Sequence, residues 1–369
     1  PGPGTRHAVA EPGPATRDAV AEPGPATRVG VLGAGQMGAG IAEVCARARV
    51  DVLVWEPTSA LTAAGRARVL DSLDRGVSAG TLTERERDQA ARQVRFTTRL
   101  SDLADRQLVV ESVVEDEAVK CPLFRGLDRV VTDPGAVLAS TTSSIPIGRL
   151  AAATSRPERV MGMHFFHPVP ELPLVELVSS AGTAAGVRER AQGFAEQIMG
   201  KQVIHTADRA GAVVNALLVP YLLSAIRMVE SGVATVEDVD RAMVLGCAHP
   251  TGPLSLVDQM GLDTVGAIAA AMHAESGEPL HAPPPLLLRM VDEGRLGRKT
   301  GHGFYGYDES RGRARGGVEI VSSSSPSPGP PPSPSPTPPP SPPPSPFAAP
   351  PGAPPPDPSP NGRAVAPGD

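Results

Sequence analysis

Apolar positions along this chain fall into two rhythms. Short unbroken runs alternate with longer stretches in which apolar residues recur every three or four positions. Val29-Gly30-Val31-Leu32 and Asp51-Val52-Leu53-Val54-Trp55 are runs of the first kind, the signature of a fully buried strand. Ala39 to Ala48 lies between them with helical spacing, and helical patterns continue through 61–73 and 84–94. Further strands are expected at 107–111, 136–140, 159–163, 174–178 and 202–205, with helices between, as at 116–131 and 184–199. Strands alternating with helices predict an α/β fold, a doubly wound and mainly parallel sheet covered on both faces.

After Ala210 the strand rhythm stops. Residues 212–230, 236–246 and much of 255–292 carry helical patterns, which predicts an all-helical domain after the sheet. The apolar run from Ala212 to Ile226 contains Asn215, Pro220 and Ser224 and is followed by Arg227. It is too short and too interrupted for a membrane span and predicts a buried helix. The ends differ in kind. Residues 1–27 repeat an eleven-residue unit (PGPGTRHAVAE, PGPATRDAVAE, then PGPATR), and 321–369 is a Ser/Pro-rich tail. Both are expected to be disordered, because Pro and Gly oppose regular structure and too few apolar groups are present for a core. The expected organisation is therefore two tails, a doubly wound sheet domain at 28–210 and an all-helical domain at 211–310.

Composition removes several functions. With 34 basic and 40 acidic residues in 369, the net charge of -6 argues against a nucleic-acid partner. Aromatics are only 3%, too few for stacking platforms. Cys45, Cys121 and Cys247 form no metal-ligand or CxxC spacing, and are expected to be small packing residues in a reduced compartment. The N-terminus has no basic segment followed by an apolar core, so a cytoplasmic protein with no membrane partner is expected.

Gly33-Ala34-Gly35-Gln36-Met37-Gly38 follows a strand and opens a helix. In a G-x-G-x-x-G string so placed, the first glycine makes the turn and the second lets a pyrophosphate reach the backbone. The third allows helix and strand to pack closely. Glu56 ends the second strand, where a carboxylate binds the adenosine ribose hydroxyls and repels a 2′-phosphate, so 28–210 is expected to be a Rossmann-type domain that binds NAD rather than NADP. His164 stands in an apolar run, with Glu176 twelve residues later in another. A carboxylate-held imidazole moves protons near neutral pH, although a core histidine beside an unrelated glutamate has the same local sequence. His164, His167 and Glu176 also read as HxxH with a distant acid, but Pro168 opposes the helix that would align them on a metal. No metal site is expected.

Seven separated motifs resemble the 3-hydroxyacyl-CoA dehydrogenase family across about 28–308. They are GAGQMGAGIA at 33–42, VVESVVEDEAVK at 109–120, STTSSIPI at 140–147, HFFHPVP at 164–170, GAVVNALLVPYL at 211–222, HPTGPLSLVDQMGLD at 249–263 and GRLGRKTGHGFYGY at 294–307. The resemblance implies reversible NAD-linked oxidation of an (S)-3-hydroxyacyl-CoA, with short chains such as 3-hydroxybutyryl-CoA expected. It also implies a homodimer joined through the helical domain. By resemblance His164 is the catalytic base, Glu176 orients it, and Ser143 and Asn215 hold the reacting oxygen. Nicotinamide-side contacts carry over to Glu115, Lys120, Ser143 and Lys299, and a CoA contact to Ser72. Three positions depart from the family pattern: His167 replaces the usual asparagine, from where it can still donate to a carboxamide, Thr141 replaces an asparagine, and Ala79 replaces a CoA-binding lysine. These bear on CoA affinity and acyl preference rather than hydride chemistry. The alternative is a non-catalytic NAD-binding or structural member of the same fold.

Overall fold

Four residues per strand suffice at the centre of this molecule, because each central strand is covered on both faces. The computed structural model describes residues 28–307, so the expected disordered tails at 1–27 and 321–369, and positions 308–310 of the expected helical domain, lie outside the described residues.

The sheet domain comprises β1 (Arg28–Leu32), α1 (Gln36–Arg47), β2 (Asp51–Trp55), α2 (Ser59–Ser78), α3 (Glu84–Gln93) and β3 (Val94–Thr97). It continues with β4 (Leu108–Glu111), α4 (Glu117–Val130), β5 (Val137–Ser140), α5 (Ile147–Ala152), β6 (Val160–Phe165), β7 (Leu174–Ser179), α6 (Ala185–Gly193) and β8 (Gln202–Ala207). The strands form one sheet in the order β3-β2-β1-β4-β5-β6-β7-β8. Every neighbouring pair is parallel except β6 and β7, which are antiparallel. Strand order reverses between β1 and β4, and ligands of such sheets bind at the carboxyl ends beside that point.

Alternation along the strands sorts side chains into two cores. Val29, Val31, Val52, Val54 and Val110 face α1 and its neighbours, whereas Leu53, Val109 and Leu138 pack with Phe124 and Leu127 of α4 and Leu150 of α5. The helical domain follows as α7 (Val214–Glu230), α8 (Val236–Cys247), α9 (Pro253–Met260), α10 (Leu262–Ser276) and α11 (Pro285–Asp292), around Leu222, Ile226, Val257, Val265 and Leu287.

Several expectations change. Helix α1 begins three residues earlier than its apolar pattern, at Gln36, because the glycine turn feeds straight into it. The expected helix at 84–94 stops at Gln93, since Val94 pairs with Val52 and starts an edge strand. Helix α5 carried no recognisable pattern. The stretch at 255–292 is three helices, divided first at Gly261, whose φ of 95° suits glycine. Helix α7 is not wholly buried, for Leu217 projects with 74% of its surface exposed. Of the cysteines, Cys45 is buried and Cys121 half-buried, but Cys247 is exposed. None of the described helices is long and apolar enough to cross a membrane.

Candidate active site

The antiparallel register of β6 and β7 sets His164 directly opposite Glu176. Residues paired this way share a face of the sheet, here the face of Val160 and Val178 near α5. His164 Nδ1 lies 2.7 Å from Glu176 Oε2, and both side chains are buried. The other carboxylate oxygen accepts the backbone N–H groups of Val213 (3.1 Å) and Val214 (2.9 Å), at the start of α7. Glu176 therefore satisfies two donors that a helix N-terminus leaves open, and the helix holds the carboxylate in return. With Nδ1–H donating to Glu176, Nε2 is the accepting nitrogen, and Ser143 Oγ lies 3.0 Å from it.

Ser143 is fixed by its backbone. Glu115 Oε1 accepts the N–H of Ser143 (2.9 Å), the N–H and hydroxyl of Ser144 (3.0 and 2.8 Å) and the hydroxyl of Thr142 (2.5 Å). Lys120 Nζ stands 3.0 Å from Glu115 and 2.9 and 3.1 Å from the two oxygens of Glu111. Glu111 also accepts Ser140 Oγ at 2.6 Å and the Val113 N–H at 2.7 Å. Burial pulls the Glu115 carboxyl up, but the Lys120 ammonium and the donated hydrogen bonds outweigh it and hold the group at about 2. Sequence reasoning missed Glu111. Its one signal is an acid closing the otherwise apolar strand Leu108-Val109-Val110.

Asn215 lies in the first turn of α7, 5% exposed, and its side chain makes no hydrogen bond to the described residues. A small cavity of about 20 Å³ opens beside His164, bounded by Ser143, Ile147, Val178, Gly211 and Ala212. Asn215 is not among its walls.

The glycine turn fits a dinucleotide. Gly33 has φ 83°, and a Cβ there would press on the Ser112 carbonyl. A Cβ at Gly38 would overlap the Gly33 carbonyl, whereas at Gly35 it would meet open space, the room a pyrophosphate needs. Met37 packs against the core, and Gln36 Nε2 lies 2.8 Å from His167 Nε2, joining the turn to the loop after β6. Burial lowers the His167 imidazole below its ordinary value, with Arg75 adding to the shift and Glu171 opposing it. At neutral pH the ring is uncharged and accepts from the amide. Glu56 Oε1 accepts the Ala34 N–H at 2.5 Å, which sets the carboxylate against the turn. Arg68 of α2 donates to the Ala34 carbonyl at 3.0 Å, a contact with no sequence signal.

Two carried-over residues stand apart. Lys299 pairs with Asp263 in the helical domain (2.5 and 2.6 Å), and Ser72 is half-buried on α2; neither is hydrogen-bonded to the His164 constellation. Among the described residues no three His, Cys, Asp or Glu side chains are grouped to hold a metal.

Comparison with known proteins finds matches to both domains. The family model described as 3-hydroxyacyl-CoA dehydrogenase, NAD binding domain, matches residues 28–209, and that of the C-terminal domain matches 211–307. A 3-hydroxybutyryl-CoA dehydrogenase of Mycobacterium tuberculosis is 64% identical over 279 residues, 76% of this chain and 98% of the relative. The human mitochondrial hydroxyacyl-coenzyme A dehydrogenase is 39% identical over 287 residues, 76% of this chain and 90% of the relative. The crystal structure of Mycobacterium tuberculosis FadB2 superposes with a TM-score of 0.76 at 63% identity, covering 76% of this chain and 99% of that one. That of (S)-3-hydroxybutyryl-CoA dehydrogenase PaaH1 from Ralstonia eutropha gives 0.72 at 38% identity, covering 77% and 100%.

Proposed function

Because the chain belongs to the 3-hydroxyacyl-CoA dehydrogenase family and is an NAD-dependent oxidoreductase, we propose that it interconverts (S)-3-hydroxybutyryl-CoA and acetoacetyl-CoA, with His164 moving the proton. The short acyl chain follows the names of the most similar relatives. The observation that carries the chemistry is the line Glu176–His164–Ser143, its first two members buried and the third half-buried, with contacts of 2.7 and 3.0 Å.

The dinucleotide, when bound, supplies the hydride acceptor. The turn shaped by Gly33 and Gly38 would hold its pyrophosphate at the space beside Gly35, and Glu56 would bind its ribose. In oxidation, His164 Nε2 takes the proton of the substrate's 3-hydroxyl. Charge then grows on the imidazole, and Glu176 stabilises it from the Nδ1 side. General-base assistance of this kind contributes about 10²–10⁴ in rate. Ser143 and Asn215 suit an oxygen that changes from hydroxyl to carbonyl, since both are neutral hydrogen-bonding groups. Asn215 has an amide with no hydrogen-bond partner among the described residues, in keeping with a substrate contact. This unbroken line of hydrogen bonds weighs against a non-catalytic use of the fold.

We also assign homodimerisation to the helical domain. Leu217 and Met228 of α7 and Val244 and Leu245 of α8 are exposed apolar side chains, the kind of surface that a partner covers. The three cysteines are unpaired, which suits the cytoplasm.

The test is direct. Purified protein mixed with NADH and a series of 3-oxoacyl-CoA esters should consume NADH, with the highest kcat/KM for acetoacetyl-CoA. Best turnover of a long chain overturns the short-chain assignment, and no oxidation with any ester overturns the reaction.

A further inference from the structure

Lys120 poses a problem for any direct role. It is 1% exposed, and an ammonium has three protons. Three carboxylate oxygens surround it at 2.9, 3.1 and 3.0 Å, two from Glu111 and one from Glu115. Each of its protons has a carboxylate partner in this structure. Glu111 is fully buried at the carboxyl end of β4, and its other partners are Ser140 and the Val113 N–H. Neither residue is hydrogen-bonded to His164. Lys120 does reach Glu115, whose single oxygen Oε1 gathers the backbone of Ser143 and Ser144 and the hydroxyls of Thr142 and Ser144.

We propose that Glu111 and Lys120 are positioning residues: they clamp Glu115 so that it holds the 142–144 loop with Ser143 Oγ presented to His164. The proposal rests on the catalytic reading of His164 and extends it by two residues that act on it through Glu115 and Ser143. The physical argument is one of anchoring. Glu115 leaves 34% of its side chain exposed and stands in a loop, so on its own it is a poor fixed point. The Lys120 ammonium ties it to Glu111, which is built into the sheet where β4 pairs with β5. A buried charge is kept only when its partners are in place, so the three groups move together or not at all. Ser143 in turn restrains the His164 ring from the side opposite Glu176. A displacement of about 1 Å at such a point is enough to cost roughly a hundredfold in rate.

Glu111→Gln tests this. Glutamine keeps one acceptor oxygen, for the Val113 N–H; its NH2 replaces the oxygen that accepted Ser140 Oγ, which must turn to accept instead, and sets a donor against the Lys120 ammonium. We expect kcat to fall about tenfold, an effect of the size seen between coupled neighbours, while the Kd for NADH changes less than about threefold. Lys120→Met should match it, and Lys120→Arg, which can still donate to both carboxylates, should restore most of the activity. The double variant Glu111→Gln/Ser143→Ala should turn over no more slowly than Ser143→Ala alone, because both remove the same restraint. Multiplying effects would overturn the proposal, as would full activity in Glu111→Gln. A second readout needs no turnover. The His164 ring ¹⁵N resonances should move in Glu111→Gln as they do in Ser143→Ala, and an unmoved ring signal would assign Glu111 to stability only. If the wild-type protein oxidises no acyl-CoA, the reaction falls, while the ring signal still decides whether Glu111 positions Ser143.

Discussion

The sheet domain and the helical domain treat burial in opposite ways. At the carboxyl edge of the sheet, charged and titratable groups are hidden: Glu111, Lys120, His164 and Glu176 are all buried. In the helical domain apolar groups are left outside, with Leu217 at 74% and Leu245 at 73% exposure. Each choice costs stability in an isolated protomer. A buried ion loses several kcal/mol of hydration unless its partners repay it, and an exposed leucine forgoes about 1.5–3 kcal/mol of burial. The sheet edge resolves its cost internally, through Lys120 between two carboxylates and Glu176 on the α7 N-terminus. The helical domain leaves its cost open in a single protomer, and the proposed dimer would cover it. On this reading the proton-transfer pair belongs to the sheet and association to the helices, with the start of α7 joining the two.

The sharpest way to break this division is at Glu176. Glu176→Gln removes the charge that stabilises protonated His164, and kcat should fall about a hundredfold, measured as NADH oxidation with acetoacetyl-CoA. A loss under threefold would mean that the carboxylate only anchors α7. Next in size is the association face. Leu217→Lys or Leu245→Lys should weaken the dimer about a hundredfold, the scale of a central interface residue. Sedimentation would show it as a shift toward monomer, whereas unchanged sedimentation would place the interface elsewhere.

A smaller effect separates the buried charges by pH. Folded Glu115 titrates at about 2, against an ordinary 4.5, so as pH falls the unfolded chain takes up the proton first. The stability this carboxylate contributes is complete above 4.5 and is lost as pH drops from there toward about 2. Thermal melts across that window should slope less steeply for Glu115→Gln than for wild type, and equal slopes would contradict the assignment. Smallest is the helical domain's Lys299–Asp263 pair. It is about half exposed on both sides, so Asp263→Asn should change stability by less than about 1 kcal/mol. A larger change in a denaturant melt would show that this pair is part of the domain's support.

Residues with a fixed chemical duty were legible in the sequence. The glycine turn, Glu56 and the His164 and Glu176 candidates follow from residue type and spacing, because those functions demand those atoms. Register was not legible. A spacing of twelve residues does not say that β6 and β7 run antiparallel, yet that pairing brings the two side chains together. Strand β3 was hidden because an edge strand of four residues with Arg95 exposed has too little apolar pattern to separate it from the preceding helix. By resemblance Lys120 was expected to contact the cofactor, and its three carboxylate partners had no signal in the sequence. Leu217 and Cys247 were expected inside. Their exposure could not be read from hydropathy, which measures a residue's preference for burial and not whether the same chain provides the cover.

The central claim is that His164 transfers the proton and does not merely fill the core. Comparing His164→Gln with wild type for both acetoacetyl-CoA reduction and NADH binding tests it most directly. Turnover should fall at least a hundredfold while the Kd for NADH stays within about twofold, because the glycine turn and Glu56 are untouched. Turnover that survives, or NADH affinity that falls in step with it, would contradict the account.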